Sequence, residues 1–98
     1  MIIKDILSQL ETATNPVAKL IQHNEHFKVV VIALKAGMTW KEHKANLPTR
    51  LVVVEGSVIY QEGDKNITLE KHDDFEIPVN IIHALHANED SICFIIQG

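Results

Sequence analysis

Gly37-Met38-Thr39-Trp40-Lys41-Glu42-His43-Lys44-Ala45-Asn46-Leu47-Pro48-Thr49 leads through the apolar run Leu51-Val52-Val53-Val54 to Glu55-Gly56. Asn46-Leu47-Pro48 reads as a turn between two extended segments. Successive side chains of a strand point to opposite faces. An inward His43 therefore carries Ala45 to the same side, and beyond the turn Thr49, Leu51 and Val53 share that face. Arg50 alternates away from it.

The chain around this stretch is rich in β-branched runs separated by turn residues: 17–22, 27–35, 50–54, 57–61, 66–69 and 91–97. Gln61 to Asn66 reads as the loop of a hairpin. Ahead of them Ile3, Ile6, Leu7 and Leu10 recur at helical spacing, predicting a short amphipathic helix that Asn15-Pro16 ends. The expected organisation is all-β, one domain over 1–98, with helix and turn in 1–15 and the β-barrel in 17–98. Several strands are apolar on both faces: Val29, Val31 and Ala33 alternate with Val30, Ile32 and Leu34. Something must cover the outer face, and a homodimer partner is favoured over the N-terminal helix.

Nine Lys and Arg stand against thirteen Asp and Glu among 98 residues, so no broad basic face is available for a nucleic acid. The N-terminal apolar run is too short for a signal peptide and no segment approaches a membrane span, so a soluble cytoplasmic protein without membrane partners is expected. The single cysteine, Cys93, sits between Ile92 and Phe94 and reads as a buried apolar thiol. Ser57 lacks a nucleophile-elbow context.

The spacing of Gly37, His43, Thr49 and Gly56, together with Pro78, Asn80 and His83, resembles the two signature motifs of the cupin superfamily. Those motifs run glycine, five residues, His-x-His, three or four residues, glutamate, six residues, glycine, and later Pro-x-Gly, two residues, His. The resemblance covers about 27–96 and implies a jelly-roll barrel with a metal held by three histidines and a glutamate. In this chain Ala45 stands where the second histidine belongs and Thr49 where the glutamate belongs, while His72, Asn80 and Ala87 replace two glycines and an asparagine. His43 and His83 are left as the two metal-ligand candidates, a weak pair where three ligands are the rule. Glu42 and His86 fall on the opposite faces of their strands from His43 and His83, and His23 and His26 read as surface residues.

The interior mouth is thus expected to be lined by His43, Ala45, Thr49 and His83, a polar cavity for a small molecule, with Tyr60 as a further ligand contact. Trp40 reads as packing at the rim or a dimer contact, and Lys35, Lys41, Lys44 and Arg50 as solvated. No cofactor is expected, a divalent zinc, iron, nickel or manganese ion being the alternative two histidines leave open. The competing functions are a binding module without chemistry, a dimerisation scaffold with a filled barrel, and an enzyme. The enzyme would be a metal-dependent dioxygenase or isomerase, or a metal-free sugar epimerase-like protein with His43 or His83 as base and Tyr60 as acid.

Overall fold

In the computed structural model α1 spans Ile2–Leu10 and is followed by β1 (Val17–His23), β2 (Lys28–Leu34), β3 (Thr39–His43), β4 (Thr49–Glu55), β5 (Ser57–Glu62), β6 (Lys65–Glu70), β7 (Asp74–Ile77), β8 (His83–Ala87) and β9 (Ser91–Gln97). The whole chain is described except the side chain of Glu42, so the outward reading of Glu42 lies outside the described residues. Antiparallel pairing builds a five-stranded sheet in the order β1-β2-β9-β4-β7 and a four-stranded sheet in the order β3-β8-β5-β6. This is a jelly roll of two facing sheets, and among the described residues hydrogen bonding does not close it into a continuous barrel.

Three of these strands, β3, β7 and β8, are absent from the β-branched runs of the sequence. Lys41 and His43 in β3, Asp74 and Glu76 in β7 and the alanines of His83-Ala84-Leu85-His86-Ala87 carry little strand propensity. Pairing supplies what propensity does not: β8 lies between β3 and β5, and β7 is held at the sheet edge by β4.

Alternation along β4 places Leu51 and Val53 inside, with Cys93 beside Val53 on β9 and Val58, Tyr60, Leu69 and Leu85 across the interior. Register continues that inner face across the large sheet. Val30, Ile95, Leu51 and Phe75 form one row, and Lys28, Gln97, Thr49 and Ile77 form the next row toward the end of the strands.

The outer face of the large sheet is where α1 docks. Ile6 and Leu10, one helical turn apart, are buried against Val31 and Ala33, with Ile92 and Phe94 beside them. Burying two such side chains stabilises by about 3–6 kcal/mol, before the entropy of ordering the helix is deducted. The Lys35 ammonium donates to the Glu11 carbonyl at 2.7 Å and ties the helix end to the strand it covers. The helix, which the sequence reading ranked behind a dimer partner, thus accounts for the second apolar face of β2. Farther across, Arg50 pairs with Asp74 on this outer face, and no helix is long and apolar enough to cross a membrane.

Candidate functional site

The inner row ending in Thr49 faces β3 and β8 of the small sheet, and between them lies a cavity of about 320 Å³. Its floor is apolar, from Val30, Ile32, Ile77, Leu85 and Ile95. His43, Ala45, Thr49 and His83 all line it, together with Lys28, Lys44, Asn46 and Gln97 around the mouth and Trp40. Its size suits a small ligand.

His43 and His83 are directly opposed across the β3–β8 pair, their ring centroids 4.3 Å apart. Hydrogen bonds fix the tautomer of each. The Nδ1 of His43 is 2.9 Å from the Lys41 carbonyl oxygen and that of His83 is 3.0 Å from the Ile81 carbonyl oxygen. A carbonyl only accepts, so both Nδ1 atoms carry the proton and both lone pairs sit on Nε2. On His43 that lone pair accepts the indole N–H of Trp40 at 3.1 Å.

Among the described residues nothing donates to the corresponding lone pair of His83. The residue is 3 % exposed, and among the described residues no buried side-chain nitrogen or oxygen lacks a partner, so its accessible surface includes Nε2. Burial lowers its pKa below the ordinary histidine value, and the neighbouring His43 acts in the same direction against the Ile81 hydrogen bond and the charge of Glu62. His83 is therefore a neutral acceptor at pH 7. The Thr49 hydroxyl has its donor committed to the Leu47 carbonyl at 2.9 Å and accepts from the Gln97 amide at 3.2 Å.

No protein-family model and no curated protein matches this chain. Solved structures do. An RmlC-like cupin from Desulfovibrio desulfuricans superposes with a TM-score of 0.80 at 25% identity, over 86% of this chain and 82% of that one. A cupin-like protein from Thermotoga maritima gives 0.78 at 25%, over 87% and 69%. This chain is a small cupin-fold protein. The salicylate 1,2-dioxygenase of Pseudoaminobacter salicylatoxidans also contains the shape, with a TM-score of 0.86 at 17% identity, over 98% of this chain and 31% of that enzyme.

The cupin motif positions keep their backbone even where the residue has changed. Gly37 and Gly56 have φ of 90° and 87°, and His72 and Asn80, at the two lost glycines, have φ of 75° and 62°. His86 accordingly faces away from His83, its Nδ1 3.0 Å from the Thr39 hydroxyl, and His23 and His26 are exposed. Tyr60 is not among the residues lining the cavity. It is fully buried behind His83, ring centroids 5.6 Å apart, with its hydroxyl donating to Glu62 at 2.7 Å. Inner Tyr60 follows from alternation in β5, whereas the depth that separates it from the mouth does not.

Sequence reasoning put Trp40 at the rim without its bond to His43, read Lys44 as solvated, and missed Lys28, Asn46 and Gln97 as site residues. The register slips between Trp40 and His43, a β-bulge that brings two residues three apart to the same face. Lys28 opens β2, two positions before Val30, and alternation from Val30 and Ile32 could have placed it inside.

Proposed function

We propose that this cupin-fold protein binds a small polar molecule in the cavity against His43 and His83 and does so without a tightly held metal. The observation that carries the reading is the pair of hydrogen-bonded imidazoles, His43 and His83, at the mouth of a cavity with an apolar floor. The nearly buried His83 ring, with its Nδ1 paired and its Nε2 lone pair without a donor among the described residues, is costly to maintain in a filled core, and a wet, ligand-sized cavity removes that cost.

The donor set does not fit the metal that the fold family implies. Ala45 offers no ligand, the Thr49 hydroxyl is neutral and already bonded twice, and the His43 lone pair is taken by Trp40. Among the described residues no three His, Cys, Asp or Glu side chains converge. A tight divalent site needs about three such ligands.

A second reading, an enzyme, draws on the free Nε2 of His83 as a base. Its epimerase form would need Tyr60 as the acid, but burial and the Glu62 carboxylate raise that hydroxyl well above its ordinary pKa and away from the cavity. A homodimer remains part of the proposal. Ile96, 40 % exposed, and the half-buried Val52 and Val54 continue the apolar outer face beyond the helix-covered part. Sedimentation would read it as a mass of two chains.

The test of function is the elemental metal content of protein purified without tag or metal column. Metal far below one equivalent per chain is expected. Near one equivalent of zinc, iron, nickel or manganese, lost in His43→Ala or His83→Ala, would overturn the metal-free reading and bring the enzyme forward.

A further inference from the structure

We propose that the molecule held in this cavity is a small carboxylate that also carries a hydroxyl or N–H donor, an inference that rests on the cavity reading above. Two independent features of the wall demand the two ends of such a ligand.

The first is charge. The chain carries more acids than bases, thirteen against nine, yet the described residues of the cavity wall include two lysines and no carboxylate. Lys28 is in the inner row with Gln97, Thr49 and Ile77, so its stem rises from the cavity side of the sheet. Lys44 approaches from the segment after β3. Among the described residues neither ammonium forms an ion pair, whereas Arg50, on the outer face, pairs with Asp74 and approaches Glu76. Cations above an apolar wall of low dielectric attract an anion more strongly than the same cations in open water.

The second is hydrogen-bond sense. With Nδ1–H committed to Ile81, His83 offers an acceptor and nothing else. A carboxylate oxygen against that lone pair would be repelled, so the anionic end belongs with the lysines. The group that meets His83 must donate, as a hydroxyl, amide or amine does. Between the two ends the floor of Val30, Ile32, Ile77, Leu85 and Ile95 suits a short branched or cyclic apolar body.

The test uses three probes that differ by one group: 2-hydroxyisovalerate, isovalerate, which lacks the donor, and methyl 2-hydroxyisovalerate, which lacks the charge. Affinities are read from the imidazole NMR signals of His43 and His83 in the full chain. The hydroxy acid is expected to move the His83 signals, with the other two binding about tenfold more weakly each. Replacing both exposed lysines, Lys28→Ala with Lys44→Ala, is expected to lower hydroxy-acid affinity to that of the ester and leave the ester unchanged. Equal binding of acid and ester, or full acid affinity in the lysine variant, overturns the carboxylate. Equal binding of hydroxy acid and isovalerate overturns the donor. Ester binding at His83 without acid binding overturns this inference and spares the cavity reading, while silence of both imidazoles toward all three probes overturns both.

Discussion

The indole N–H of Trp40 points at the Nε2 lone pair of His43, 3.1 Å away, and occupies the direction from which a metal ion would approach that imidazole. The bulge in β3 makes this possible, since a regular strand would send residues three apart to opposite faces. His43 is thereby held at both nitrogens, by Lys41 and by Trp40.

Trp40→Phe removes that donor and keeps an aromatic ring at the rim. Freed of a hydrogen bond worth about 1 kcal/mol, the two-imidazole site should take nickel about fivefold more tightly than the parent. Nickel broadening of the His43 and His83 signals measures it. An unchanged midpoint would mean that the indole contact does not compete with metal.

Ala45→His combined with Thr49→Glu restores the two ligands the spacing lacks, on side chains that already line the cavity. A carboxylate at the nearly buried Thr49 position costs about 1–3 kcal/mol in the metal-free variant, because the Leu47 contact is lost and the charge is only partly compensated. Zinc should recover this and more, seen as a rise in thermal midpoint that the parent does not show. The triple variant with Trp40→Phe should gain further. No zinc-dependent rise in either variant would contradict the shared orientation of these positions.

These two substitutions also mark what was legible in the sequence. The spacing of Gly37, His43, Thr49 and Gly56 reports backbone geometry, which persists when side chains change, so the fold and the four-residue mouth could be read. The period of Ile6 and Leu10 announced a helix with one apolar face, but not that Val31 and Ala33 lie beneath it. Trp40 was legible as a rim residue, but its bond to His43 was not, because a bulge leaves no periodic mark. The strands β3 and β8 could be read only through the motif positions of His43 and His83, and β7 was illegible, because pairing rather than composition extends all three.

The positive-φ positions give a prediction in both directions. A Cβ at Gly56 would overlap the Ser91 hydroxyl and the Asp90 carbonyl oxygen and sit 2.8 Å from Ser91 Cα, on top of the left-handed backbone. Gly56→Ala should cost roughly 3 kcal/mol or more. His72, with φ of 75°, bears a left-handed penalty of about 1–2 kcal/mol that glycine escapes, less the 0.5–1 kcal/mol glycine gains in unfolded entropy. His72→Gly should therefore stabilise by about 0.5–1 kcal/mol. Urea unfolding at pH 7 reads both, and a destabilised His72→Gly would show that its side chain does more than endure the turn.

Two buried acids set the alkaline limit of stability. Burial pushes the Cys93 thiol up to about 12 from an ordinary value of 9.0, and burial followed by the Glu62 contact raises the Tyr60 hydroxyl above its ordinary 10.0. Above pH 9 the unfolded chain releases the thiol proton while the folded chain retains it, so the unfolded state binds fewer protons and stability falls as pH rises. Above pH 10 the tyrosine adds a second proton to the same difference. Each fully developed difference contributes a slope of about 1.4 kcal/mol per pH unit. Urea unfolding from pH 7 to 11 should show this decline, and Cys93→Ala should run parallel to the parent below pH 9 and flatter between 9 and 10. A parent curve that stays level to pH 11, or a Cys93→Ala curve that falls just as steeply, would mean that the thiol is not shielded between the sheets as Val53 and Ile32, its register partners, require.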